Sequence, residues 1–141
     1  MRIGEVAEQT GLRIRNIRFY EKKGLIEPDR EQDSKYRDYT EEDIRRLKEI
    51  ILYRKMGFSI EQIHQVLTKK QSVQEVLKQQ VIDLEQKQRD IQGAIDLCEK
   101  IIDDGCYENF DVERYLSYVK EEETKGKTFA KVDDLLVDFA E

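Results

Sequence analysis

Arg15, Arg18 and Lys22 stand at steps of three and four, so a helix would carry all three on one face. Guanidinium groups placed that way can pair with guanine edges in a major groove, and an asparagine such as Asn16 can read adenine. Tyr20 on the same stretch, and Tyr36, Arg37 and Tyr39 further on, add hydroxyl and cationic donors suited to phosphate, where contacts fix register without reading sequence. The chemistry these residues offer is reversible recognition of double-stranded DNA. A solvated charged helix would account for the first cluster alone. It does not account for a second cluster on the ribbon after it.

Covalent chemistry has no comparable constellation. No nucleophile, base and orienting group fall together, and the sole histidine, His64, sits among polar neighbours, so no enzyme is expected. Cys98 and Cys106 are the candidates for sensing, because thiolates favour soft ions such as Cu(I) or Zn(II). Cys98, however, falls on an apolar helical seam, where cysteine commonly serves as a small hydrophobe. No metal site and no cofactor are therefore assigned; metal or thiol-redox sensing by the pair stays as the alternative, and a dimeric scaffold without DNA binding stands behind it.

Net charge is -6, which by itself disfavours a polyanionic partner. The distribution reverses that inference. Residues 1–60 hold 14 Lys and Arg against 12 Asp and Glu, whereas residues 61–141 hold 11 against 19. Phosphate contact needs cations placed locally, not a basic whole chain. Two cysteines and the lack of any long apolar run predict a soluble, cytoplasmic protein without a membrane partner.

The elements that must position these groups are mainly helical. Ile3, Val6 and Ala7 recur at helical spacing, and Thr10-Gly11-Leu12 closes that helix in a turn. A second helix of about ten residues follows, stopped by Gly24, which makes a helix-turn-helix. Tyr36 to Tyr39 suits a short strand in a two-stranded wing whose tip runs from Gln32 to Lys35. Thr40 with Asp43, Ser59 with Gln62 and Ser72 with Glu75 have the spacing of capping boxes, each opening a helix. In the third of these helices Leu77, Val81, Leu84, Gln88, Ile91, Ile95, Cys98 and Ile102 alternate steps of four and three, a 3.5-residue seam that predicts coiled-coil dimerisation. Gly105 ends it, Asp111 can cap a further helix, and Phe129 to Phe139 suggest one more. Three regions result: residues 1–70 for DNA binding, 72–104 for dimerisation, and 105–141 as a small effector or capping region.

These pieces together resemble the MerR family of bacterial transcription regulators. The resemblance rests on Ile3 to Ala7, Thr10-Gly11-Leu12, Ile17-Arg18-Phe19-Tyr20-Glu21, Gly24-Leu25-Ile26, Pro28-Asp29-Arg30, Tyr36-Arg37-Asp38-Tyr39 and Gly57-Phe58-Ser59. It implies a winged helix-turn-helix joined to a long antiparallel coiled-coil helix and a short helical tail. It also implies a homodimer that distorts promoter DNA for bacterial RNA polymerase in response to an effector. Carried over by position, Arg18 and Tyr20 become DNA contacts from the recognition helix, and Tyr36 and Arg37 become contacts from the wing. Arg54 and Lys55 are the basic candidates for phosphate contacts from the second helix pair. Arg13 stands where the family often has Ser or Thr, so the usual hydroxyl cap is missing, and Asn16 stands where Thr is frequent.

The tail carries Tyr107, Phe110, Tyr115 and Tyr118, which suit either a pocket for a small-molecule effector or a small core capping the coiled coil. The second use is the expected one, since some 35 residues are few for a ligand domain.

Overall fold

The computed structural model describes residues 1–30, 36–105 and 107–132. The expected wing tip from Gln32 to Lys35, Cys106, and residues 133–141, which hold most of the expected last helix, lie outside that range. Among the described residues the order is α1 (Ile3–Thr10), α2 (Ile14–Lys22), β1 (Asp29–Arg30), β2 (Arg37–Asp38), α3 (Glu41–Lys55), α4 (Ile60–Leu67), α5 (Val73–Asp104) and α6 (Val112–Thr124). The chain divides into two compact units, Met1–Gln80 and Val81–Glu141.

In the first unit each helix end has a visible chemical cause. Gly11, at φ 78°, lets α1 stop with its amide donating to the Ala7 carbonyl. The Thr10 hydroxyl donates to the Val6 carbonyl at 2.8 Å and accepts from the Leu12 amide at 3.2 Å, which stitches the turn into α2. Arg13 caps α2 with no side-chain hydrogen bond, as its residue type requires. Thr40 and Asp43 form a full capping box at the start of α3, and Ser59 and Gln62 form another at the start of α4. Ser72 accepts from the Glu75 amide at 3.1 Å to open α5.

Two helix exits repeat one device. Past Gly24 the Leu25 amide reaches back to the Tyr20 carbonyl at 2.9 Å, and past Gly57 the Phe58 amide reaches the Tyr53 carbonyl at 3.1 Å. Each time the residue after glycine is buried, as this motif prefers. Phe58 also stacks on Tyr53, with ring centroids 5.3 Å apart. Val6, Ile17, Leu47, Ile50 and Ile63 complete the core with Tyr39. At roughly 1.5–3 kcal/mol per fully buried large apolar side chain, this cluster is the main stabiliser of the unit. The first turns of α5 belong to it: Val76 is buried, and Gln80 donates from Nε2 to the Met56 carbonyl at 2.8 Å.

β1 and β2 pair antiparallel, Asp29 with Asp38 and Arg30 with Arg37. The Tyr39 amide donates to the Met1 carbonyl at 2.8 Å, so the start of the chain is fastened beside the ribbon.

In the second unit α5 continues beside the segment that follows it. The Tyr115 hydroxyl donates to Asp104 at 2.6 Å, Lys127 pairs with Asp96 at 2.9 Å, and Gln86 donates to the Thr128 hydroxyl at 3.3 Å. Gly93 is what permits this approach, because a Cβ there would lie 2.0 Å from the Thr128 carbonyl oxygen. No described helix is long and apolar enough to cross a membrane.

Candidate nucleic-acid interface

Ile17 and Tyr20, three apart, sink one side of α2 into the core. That anchoring turns the opposite side outward, and Arg15, Asn16, Arg18 and Lys22 are all exposed there. Lys22 lies in the last helical turn, where a cation is favoured by the carbonyl end of the dipole. Phe19 is 42% exposed and has the Lys23 ammonium 5.6 Å from its ring centre.

The β1–β2 ribbon joins this surface through an ion pair. Arg37 donates from Nε to the Glu21 carboxylate, which ties β2 to the end of α2. Tyr36 is exposed and carries the Arg2 guanidinium 3.9 Å from its ring centre. A groove of about 890 Å³ runs between these elements, with four cations on its walls, Arg2, Arg18, Lys22 and Arg37. Glu21 and Glu27 are the acids there. In a concave lining whose cations outnumber its acids, the fields of the separate cationic groups add where a phosphate would sit.

Tyr39 corrects the expectation of a direct contact. It is 1% exposed and its ring is part of the core, because it lies just past the two-residue strand β2, where strand alternation no longer decides which way a side chain turns. Its hydroxyl is buried with no hydrogen-bond partner. Burial first, and then the Glu21 charge, push its pKa upward, while Arg37 and Arg18 act in the opposite sense. Tyr20 is corrected in part: at 8% exposure its ring is a core element, and little of it remains to meet DNA.

Arg54 and Lys55 are both exposed at the end of α3. Arg54 donates to the Phe58 carbonyl at 2.9 Å, so it also holds the turn into α4.

The residues of the expected seam all lie on α5. Leu77, Val81, Leu84, Ile91, Ile95 and Ile102 are 36% to 61% exposed, and Gln88 and Cys98 are exposed with them. A stripe of this size left in water marks an interaction surface. The four tail aromatics do not converge in one place. Phe110 and Tyr115 meet edge to face at 5.7 Å, Tyr118 lies near Lys100, and Tyr107 is exposed with its hydroxyl on the Ile102 carbonyl. Among the described residues no three His, Cys, Asp or Glu side chains are grouped to hold a metal ion.

Sequence reasoning missed Arg2, Glu21, Gln80 and Gly93 as positioning residues. Gly93 alone had a signal, being a glycine inside a long helical run, where it costs stability unless something needs the space.

Two short helices joined by the Gly11 turn, with the recognition helix exposed, define a helix-turn-helix protein. Residues 1–70 match the MerR HTH family regulatory proteins, and residues 44–97 match the MerR DNA-binding region. The chain belongs to the MerR family. It is 38% identical over 113 residues to a probable heavy metal-dependent transcriptional regulator of Haemophilus influenzae, covering 70% of this chain and 88% of that protein. It is 43% identical over 67 residues to the HTH-type transcriptional regulator HmrR of Rhizobium leguminosarum, covering 48% of this chain and 51% of that protein. The chain spans about half the length of several such relatives. In fold it is similar to a crystal structure of a MerR-family transcriptional regulator from Bacillus cereus, with a TM-score of 0.68 over 90% of this chain and 98% of that one, at 23% identity.

Proposed function

We propose that the chain is a homodimeric, sequence-specific regulator of transcription that acts in the cytoplasm on double-stranded promoter DNA. The observation that carries this reading is the exposed row of Arg15, Arg18 and Lys22 on α2, continuous with the cationic groove that runs to the wing. In it α2 enters the major groove, with Asn16 among the base-reading side chains, while Tyr36 and Arg37 meet the flanking phosphates. Arg54 and Lys55 extend the phosphate contacts. The seam of α5 pairs two copies as an antiparallel coiled coil, so the two recognition helices meet two half-sites. Residues 1–70 and 72–104 then divide the work into binding and pairing, and residues 105–141 serve as a small effector or capping region.

Bound as a dimer, such a protein stores its signal as DNA deformation, so that promoter geometry, and through it RNA polymerase, responds to a small-molecule effector. Sensing of a metal or of thiol oxidation is the second reading, favoured by Cys98 being exposed and by the names of the heavy metal-dependent relatives. Fluorescence anisotropy on a duplex from upstream of the chain's own gene tests the interface. Arg18→Ala should weaken binding by roughly 1–3 kcal/mol and relax preference at one base position. Lys22→Ala should weaken binding to all sequences alike and shallow the salt dependence by about one charge. Equal binding by both variants and the parent would remove α2 from the groove.

A further inference from the structure

The Glu21 carboxylate is the hub of the groove. It accepts from Arg37 Nε, and it is the charge that acts most strongly on the Tyr39 hydroxyl. All three side chains, with Arg18, line the same groove. In this arrangement Arg37 has a carboxylate partner and Tyr39 has none: its phenol is buried in the core and its hydroxyl has no partner. A buried donor left unpaired is costly and uncommon, so its persistence calls for a state in which it is paired.

The DNA-bound state supplies one. A phosphate entering a groove that holds Arg2, Arg18, Lys22 and Arg37 competes with Glu21 for the Arg37 guanidinium, which prefers a doubly bonded anion. Were Arg37 to turn toward it, Glu21 would be left as an unpaired carboxylate beside a phosphate, which opposes binding. We propose that the Tyr39 hydroxyl is the reserve partner of Glu21, donating to it when a DNA phosphate draws Arg37 away. Tyr39 is then a positioning residue that never touches DNA. It makes the exchange at Arg37 affordable, and the orphaned hydroxyl in the free protein is the other half of that exchange. This rests on the DNA-binding reading of the groove.

The test is a pair of substitutions in the full chain, read by anisotropy on the duplex from upstream of its own gene and by thermal unfolding without DNA. Tyr39→Phe removes the hydroxyl and keeps the core ring, so the free protein should melt at the same temperature or higher. Binding should weaken about tenfold, the size of one hydrogen bond to a charged group. In a Glu21→Ala background, where no carboxylate needs a partner, Tyr39→Phe should cost no more than about twofold. A core role would not produce that dependence on Glu21. The exchange is overturned if Tyr39→Phe binds like the parent, or if its cost is the same in both backgrounds. Arg18→Ala, measured alongside, separates the failures. If it still weakens binding the exchange alone falls, and if it too binds like the parent the DNA reading of the groove falls with it.

Discussion

Of the fourteen buried apolar and tyrosine side chains among the described residues, thirteen lie in Met1–Gln80 and one, Tyr115, lies in Val81–Glu141. The first unit closes its own core around Leu47, Ile50 and Phe58 and spends its exposed surface on cations. The second does the reverse. Its helix binds the following segment through polar groups, Asp104 to Tyr115 and Asp96 to Lys127, and leaves its apolar seam in water. Among the described residues the second unit holds little of the hydrophobic burial that stabilises a domain, and in the proposed dimer a second copy covers its seam. The contrast teaches where each unit takes its stability from: the first from its own core, the second, in the proposed dimer, from association.

The largest expected effect follows from breaking the seam. Ile91→Ala with Ile95→Ala removes two side chains that a dimer would bury in each copy, at roughly 2–5 kcal/mol apiece if buried. Sedimentation should then find monomers at concentrations where the parent is dimeric, with the melting of residues 1–80 unchanged. A dimer of undiminished strength would mean that the second unit completes itself some other way.

A smaller effect sharpens the other side of α5. Gly93→Ala places a methyl group where the Thr128 carbonyl oxygen lies, so the segment 107–132 should lift from the helix. Limited proteolysis would then cut that segment several-fold faster, while DNA affinity of the isolated interface residues stays as in the parent. Unaltered cleavage would show that the close approach is not what holds the segment down.

The smallest effect is electrostatic. The Tyr115 hydroxyl on Asp104 and the Lys127 ammonium on Asp96 hold both carboxyl groups below their ordinary value of 3.8, and Asp96 holds Lys127 above its ordinary 10.5. The carboxylate contribution is thus present above about pH 3.8 and lost as pH falls through the lowered values. The lysine contribution is complete below about pH 10.5 and lost as pH rises through the raised value. Between those limits the attachment of residues 107–132 should be flat with pH and should weaken modestly with salt, because the groups are solvated. Hydrogen exchange across α6 measures it, and a midpoint near neutrality would assign the attachment to other groups.

Local signals were legible in advance where one residue type has one use. The Thr40 and Ser59 capping boxes and the stops at Gly11 and Gly24 all act within a few residues of sequence. The exposed row Arg15, Arg18 and Lys22 was legible for the same reason. Tyr39 was not, since it lies just past a two-residue strand, where alternation no longer decides which way its side chain turns. Gly93 facing Thr128 and Asp96 facing Lys127 were hidden for another cause: each pairs residues more than thirty positions apart, and although a glycine inside a helical run hints at a close approach, nothing local names the partner. Gln80 belongs with them, a polar residue buried only because a carbonyl at the end of α3 awaits it.

Protection of the DNA upstream of the chain's own gene, compared between the parent and Arg18→Ala, tests most directly that two copies of α2 read it. Two protected half-sites in inverted orientation, both lost together in the variant, are the expected result. Protection that survives Arg18→Ala, or a single half-site without its inverted copy, would contradict it.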